Sequence, residues 1–296
     1  MSTDVVSVRT LDGLRLSGTL VRPAKEDGRP KWVAVLVHGG GVTREEGGFF
    51  GRLAGGLAQA GIPSLRFDLR GHGDSQGRQE ELTLASILND IHVVTEYAKQ
   101  ATEAAQLVLV GASFGGGICG YYAAKRSEDV DRLVLFNPQL DYKRRTIDSR
   151  PYWADGSISD DMARELNERG AIQFTPTLRH GRPLLNEVFW LKPHEALGEI
   201  GAPTLLVHGT ADTLVPFASS RDAVERFNVP CTLVPVEGAQ HGFAVHDDPQ
   251  YLNVRSVEYQ TFVIGAVREW LGSSIKELPH PRMTRPPEYT PRTRQP

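Results

Sequence analysis

Short apolar runs and longer amphipathic stretches alternate along the chain with a regularity that lays out most of its secondary structure. Residues 5–10 and 14–21 show strand-type patterning on either side of Asp12-Gly13, a turn pair that predicts an antiparallel hairpin at a sheet edge. Beyond it, apolar runs at 32–37, 64–67, 107–110, 132–136, 204–207 and 231–236 read as strands buried on both faces. Helical spacing falls between them at about 49–60, 86–100, 114–126, 218–227 and 255–271. This alternation predicts an α/β fold: a mostly parallel central sheet with helices on both faces.

The alternation breaks between 139 and 195, a span too long for a plain loop and read here as an inserted cap or lid. The expected organisation is a core of residues 1–138 and 196–275, the cap at 139–195, and a tail at 276–296. Within the cap, residues 159–169 read as a short helix with Ser159 or Asp160 at its N-cap, and 172–178 with 183–188 as a hairpin around His180-Gly181. Tyr152, Trp153, Phe174, Phe189 and Trp190 are available to line a substrate pocket, and would serve equally as the cap's own small core. The tail is rich in proline and arginine and poor in apolar residues, a composition that builds no core and predicts an extended or disordered segment.

One pentapeptide carries candidate chemistry. Gly111-Ala112-Ser113-Phe114-Gly115 follows the strand at 107–110 and opens the helix at 114–126, the strand–turn–helix context of a nucleophile elbow. A serine hydroxyl is a poor nucleophile at neutral pH and needs a base, with a carboxylate to orient that base. Asp212 lies in the loop after the strand at 204–207, and His241 in the loop after 231–236. The other histidines have weaker claims. His38 and His208 belong to His-Gly turns at strand ends, His72 to the turn 70–75, and His246 and His280 have no supporting context. Asp68 and Asp74 precede the serine and suit loop hydrogen bonding, while Glu237 would point away from His241. An oxyanion needs two N–H donors: Phe114, after the nucleophile, and Gly40 in the His38-Gly39-Gly40-Gly41 loop, with Gly41 as its possible replacement. A phosphate-binding reading of that glycine loop fails, since no Gly-Lys-Ser/Thr follows and the spacing is not G-x-G-x-x-G.

Together these motifs resemble the α/β-hydrolase superfamily, and within it the serine hydrolases that include cinnamoyl (feruloyl) esterases and monoacylglycerol lipases. The residues that carry the resemblance are His38-Gly39-Gly40, Asp68-Leu69-Arg70-Gly71-His72-Gly73-Asp74-Ser75, Gly111-Ala112-Ser113-Phe114-Gly115-Gly116, His208-Gly209-Thr210-Ala211-Asp212 with Val215-Pro216, and Gly238-Ala239-Gln240-His241-Gly242-Phe243. The resemblance covers about residues 5–272, with the chain order Ser113, Asp212, His241 that this superfamily uses. Triple glycine departs from the larger residue common after His-Gly in cinnamoyl esterases. It is typical of hormone-sensitive-lipase relatives, whose serine motif differs from this one. The resemblance implies a serine hydrolase cleaving a carboxylic ester of small to medium acyl or aryl-acyl type through an acyl-enzyme. It also implies a cap over the nucleophile, where Trp153, Phe189 or Trp190 would touch substrate.

Composition narrows the partners. A formal net charge of −3 gives no electrostatic reason to expect nucleic acid or an anionic membrane. Two cysteines, Cys119 and Cys231, make no disulfide framework, no Cys/His cluster has zinc spacing, and no cofactor or metal is expected. Residues 1–10 lack a signal-peptide apolar region, so a cytoplasmic protein is expected. The rival readings are a thioesterase acting on an acyl carrier protein or coenzyme A thioester, a lactonase or acyltransferase, and a non-catalytic ligand-binding member of the fold. A cofactor-free dioxygenase or haloperoxidase-like activity has no residue in its favour. A dimer is compatible with all of these.

Overall fold

The computed structural model of the chain describes residues 1–24, 28–246, 248, 250–273 and 282–283. A hairpin of β1 (Ser2–Arg9) and β2 (Arg15–Arg22) turns at Asp12-Gly13, with the Thr10 hydroxyl donating to Asp12 and accepting from the Leu14 N–H. There follow β3 (Trp32–Val37), α1 (Phe49–Gln59), β4 (Ser64–Phe67), α2 (Leu84–Thr102), β5 (Gln106–Ala112), α3 (Ser113–Lys125) and β6 (Arg132–Phe136). The 139–195 segment carries the two-residue strands β7 (Trp153–Ala154) and β8 (Ser157–Ile158), then α4 (Asp160–Arg169), β9 (Ala171–Thr175), β10 (Leu178–Gly181) and α5 (Arg182–Glu187). The alternation resumes with β11 (Thr204–Gly209), α6 (Phe217–Val224), β12 (Cys231–Val236) and α7 (Val254–Gly272). In the tail, Arg282–Met283 pairs in parallel with β12 as β13; the rest of 276–296 lies outside the described residues.

The main sheet has the order β1-β2-β4-β3-β5-β6-β11-β12-β13 and is parallel from β4 onward. Its central strands are apolar throughout because each face meets helices. Val33, Val35 and Val37 of β3 join Leu107 and Leu109 of β5 in a core under α2 and α3. Trp32, Ala34 and Leu36 join Val108 and Val110 in a second core under α1 and α7. Strand order reverses between β3 and β5, since the chain winds from β3 outward to β4 and from β5 outward to β6. The loops that leave the carboxyl ends of β3 and β5 therefore separate to opposite faces and open a crevice, the usual place for a ligand in such sheets.

The 139–195 segment departs in one respect from the sequence-based expectation. The helix at 159–169 is present as α4 with Ser159 at its N-cap, but the hairpin turns at Pro176-Thr177 and not at His180-Gly181. His180-Gly181 closes β10, and the expected second strand is the helix α5. Gly181 is needed for another reason: a Cβ there would lie 1.9 Å from the Glu80 carbonyl oxygen, far earlier in the chain. The hairpin is pinned to that earlier turn by the Gln79 side chain, which donates to the Thr177 carbonyl at 3.2 Å and accepts from the Arg179 N–H at 2.9 Å.

Candidate active site

Ser113 is the first residue of α3, directly after β5, and its φ is +49°. A left-handed backbone costs a non-glycine residue about 1–2 kcal/mol, so the surroundings must enforce it. They do so by close approach. A Cβ on Gly115 would lie 2.5 Å from the His38 carbonyl oxygen, and one on Gly111 would lie 2.8 Å from the Gly116 Cα. The turn is held between the end of β3 and the start of α3, and Ser113 is carried on its tip.

Asp212 lies three residues beyond β11, and His241 five residues beyond β12. Parallel pairing of these neighbouring strands (Gly209 opposite Val236) places the two loops side by side. His241 Nδ1 hydrogen-bonds the Asp212 Oδ2 at 2.7 Å. The other carboxylate oxygen, Oδ1, accepts the Leu214 and Val215 N–H groups, both at 2.8 Å. His208 Nε2 stands 3.4 Å from Oδ2 while bonding the Val215 carbonyl at 2.9 Å, and its Nδ1 meets the Ser220 hydroxyl at 2.7 Å. Burial opposes charge on Asp212, but the hydrogen bonds from His208, His241 and the Val215 N–H outweigh it and hold the carboxyl well below its ordinary range. Asp212 is thus an ionised acceptor set against His241 Nδ1, an arrangement that favours the tautomer with its proton on that nitrogen.

Ser113 and His241 line one small cavity with Glu46, Phe49, Phe136, Asn137 and Phe243. Its floor is three phenyl rings packed edge to face, Phe49 on Phe136 at 5.3 Å, Phe49 on Phe243 at 5.5 Å and Phe136 on Phe243 at 5.6 Å. Phe243 follows His241 by two residues, so this cluster also anchors the histidine loop.

Gly40 and Phe114 are adjacent, since a Cβ on Gly40 would lie 3.4 Å from that of Phe114. Phe114 N–H is in the first turn of α3, where backbone donors have no partner within the helix. Among the described residues the Gly40 N–H has no hydrogen bond, whereas its neighbours do: Gly39 donates to Glu46 at 2.7 Å and Gly41 to His72 Nε2 at 3.2 Å. Histidines serve here as structural acceptors. His38 Nε2 accepts the Leu69 N–H at 2.9 Å, and burial pushes its pKa down to about 3, so it is neutral. Asp68, a rival for the acid, is fully buried and takes the Arg44 N–H at 2.7 Å, the Arg44 guanidinium and the Asp74 N–H at 2.9 Å. It ties the loop after β3 to the loop after β4, and has no contact with His241.

The three aromatics named from the sequence lie elsewhere. Trp153 and Phe189 pack on each other at 6.1 Å, Trp190 is 86% exposed, and none of them lines the cavity beside Ser113. Leu178 and Thr177 of the hairpin are the parts of the inserted segment that cover the glycine loop; a Cβ on Gly40 would lie 2.8 Å from Leu178 Cδ2, and one on Gly41 2.7 Å from Thr177 Oγ1. Sequence reasoning missed both, and it missed Glu46, whose run Thr43-Arg44-Glu45-Glu46-Gly47-Gly48 reads as a solvated loop. The one signal was the pair of glycines after it, since Glu46, Gly47 and Gly48 all adopt positive φ. Among the described residues no group of three or more His, Cys, Asp or Glu could hold a metal ion, and no helix is long and apolar enough to cross a membrane.

Comparison with known proteins agrees with this architecture. The chain is similar to a monoacylglycerol lipase of Mycolicibacterium smegmatis, 26% identical over 219 residues, which cover 68% of this chain and 77% of the relative. It is also similar to a monoglyceride lipase homologue of monkeypox virus, 21% identical over 266 residues, covering 83% and 91% respectively. The ferulic acid complex of Est1E from Butyrivibrio proteoclasticus shares the fold with a TM-score of 0.73 at 23% identity, over 90% of this chain and 97% of that one. Residues 28–248 match the model of the Hydrolase_4 family, described as serine aminopeptidase, S33, and with a nine-stranded sheet wound as above the chain belongs to this family of α/β-hydrolases.

Proposed function

We propose that the protein is a serine-dependent carboxyl-ester hydrolase working through an acyl-enzyme. The observation that carries this reading is the 2.7 Å bond from His241 to the buried, ionised Asp212, with His241 and the strained Ser113 lining one cavity. Ser113 Oγ attacks the ester carbonyl while His241 Nε2 takes its proton. Asp212 holds the imidazole in the required tautomer and stabilises the imidazolium that forms. The Phe114 and Gly40 N–H groups receive the oxyanion. The alcohol leaves with the proton from His241, and water then releases the acid.

The likeness to a monoacylglycerol lipase, and to a fold neighbour holding ferulic acid, supports an ester of small to medium acyl or aryl-acyl type as substrate. Leu178 and Thr177, over the glycine loop, are the side chains of the inserted segment placed to meet it.

Two measurements test the reading together. A fluorophosphonate probe should label Ser113, and Ser113→Ala should abolish both labelling and turnover of p-nitrophenyl esters, a loss on the order of 10⁶-fold. A labelled serine with faster turnover of acyl thioesters than of matched esters would move the assignment to a thioesterase. An unlabelled Ser113 would remove the mechanism altogether.

A further inference from the structure

The site holds a carboxyl group that this mechanism does not use. Glu46 lies just before α1, in the loop that continues from the glycines after β3, and is a buried residue, 9% exposed. Its backbone is strained at φ +46°, followed by Gly47 at +63° and Gly48 at +92°. Three successive left-handed residues turn the chain so that the carboxyl points inward and not to solvent. No cation pairs with it among the described residues: Arg44 goes to Asp68 and Asp74, and Arg66 to Glu45. One oxygen, Oε2, accepts the Gly39 N–H at 2.7 Å, and no hydrogen bond to Oε1 is found among the described residues. A Cβ built on Gly39 would lie 3.2 Å from the Ser113 Cβ and 3.3 Å from Glu46 Oε1, so the carboxyl and the serine flank the same peptide.

Glu46, Ser113 and His241 share the lining of one small cavity of ≈ 10 Å³, at the lower limit for a single water molecule. The rest of its lining is Phe49, Phe136 and Phe243 with Ala112 and Gly242, and Asn137 is the one further polar side chain in it. Asn137 is already engaged, its Oδ1 accepting the Gly209 N–H at 2.9 Å.

We propose that Glu46 is a fourth catalytic group, whose free carboxyl oxygen holds the hydrolytic water against His241 for deacylation. This rests on the acyl-enzyme reading above. The water oxygen attacks the acyl carbonyl carbon, one of its protons passes to His241 Nε2, and its other O–H donates to Glu46 Oε1. The tetrahedral intermediate then collapses: the bond from carbon to Ser113 Oγ breaks, and His241 returns its proton to Oγ as the acid leaves. Glu46 exchanges no proton over the cycle. It supplies an acceptor where the dry phenyl wall offers none, and its second oxygen stiffens the glycine loop through Gly39. Acylation needs no water, so the water-holding oxygen of Glu46 bears on deacylation only, and a variant that keeps the Gly39 bond leaves acylation intact.

Glu46→Gln isolates this role. Its amide oxygen can keep the Gly39 N–H, which turns the NH2 group, a donor, toward the water. With p-nitrophenyl acetate as probe, kcat should fall by about 10²-fold, the scale of misplacing one reactant. KM should fall with it, leaving kcat/KM, which reports acylation, within about twofold. A burst of p-nitrophenol and an acetyl adduct on the Ser113 peptide should accumulate, while fluorophosphonate labelling proceeds at the wild-type rate. Glu46→Ala, which also gives up the Gly39 bond, covers a failure of the amide variant to fold: kcat/KM should fall somewhat, kcat should fall further, and the acetyl adduct should still accumulate. Unchanged kcat, or equal losses in kcat and kcat/KM, would overturn the role of Glu46 while labelled Ser113 left the serine mechanism standing. Absent labelling of wild-type Ser113 would instead remove the underlying reading.

Discussion

The carboxyl ends of the core strands and the inserted 139–195 segment treat their buried polar groups in opposite ways. Around Ser113, every buried histidine and carboxylate except Glu46 has its full set of partners: His38, His72 and His208 each use both ring nitrogens, and Asp68 and Asp212 accept from several donors. In the inserted segment the Tyr152 hydroxyl, Trp153 Nε1, His194 Nδ1 and both nitrogens of His180 are buried without a partner among the described residues. The core has such atoms too, but those of Ser64, Gln106, Arg132 and Thr232 sit at or next to the opening residues of their strands, at the end of the sheet away from the site, and Trp270 Nε1 of α7 lies beside Arg132 at that end. A satisfied polar network holds its members in one arrangement, whereas unsatisfied groups leave alternatives of similar energy. The proposed chemistry thus sits at the over-determined end of the fold, and the inserted segment is the less constrained part beside it.

The sharpest test of the over-determined end is Asp212→Asn. The amide oxygen can still take the Leu214 and Val215 N–H groups, so the loop should stay folded, but the NH2 would face His241 and impose the wrong tautomer. Turnover of p-nitrophenyl esters should drop by roughly 10⁴-fold with little change in melting temperature. Near-normal activity would hand the role to another carboxylate and break the comparison.

Next in size is Phe243→Ala. Removing one ring from the phenyl cluster should cost about 3–5 kcal/mol in urea unfolding and loosen His241 as well. A similar stability loss with intact kcat would mean the histidine is held by Asp212 alone.

The inserted segment should answer differently. Leu178→Ala should alter the ratio of kcat/KM between long and short acyl esters by about 1–3 kcal/mol, while fluorophosphonate labelling of Ser113 stays close to wild type. Trp190→Ala should change neither selectivity nor stability beyond about 0.5 kcal/mol, because its ring stands in solvent. Reversed results for the two variants would place the substrate on the far side of the segment.

A last test concerns acid, where the effect at any one pH is set by how far the pH has dropped. Burial lowers His38 and His180 to about 3 each. Below about pH 6.5 the unfolded chain protonates both while the folded chain does not, so stability falls as pH falls. Each contributes up to about 1.4 kcal/mol per pH unit across roughly pH 6 to 3. His180→Phe should remove one share of that slope in urea titrations and raise stability at pH 5 relative to wild type. An unchanged slope would mean that His180 finds a partner in solution.

How much of this was legible in the chain follows from where the information lies. That Ser113, Asp212 and His241 gather at one edge of the sheet was legible because each sits just beyond an apolar strand, and parallel strands deliver their carboxyl ends to one edge. The strands announced themselves because both faces of the sheet are covered, which leaves continuous apolar runs. The antiparallel hairpin was equally local, set by Asp12-Gly13. Three features were decided only in three dimensions. The turn of the β9–β10 hairpin lies at Pro176-Thr177 because Gly181 is spent on a close approach to Glu80, a contact no local pattern encodes. Trp190 faces solvent although its composition suggests a pocket, since side-chain direction in an irregular segment has no periodicity to read. Glu46 looks like one more charge in a solvated loop, and only the strained backbone and the juxtaposition of the loop after β3 with the elbow after β5 bring its carboxyl beside Ser113. Sequence determines what repeats along the chain, and tertiary structure decides what meets across it.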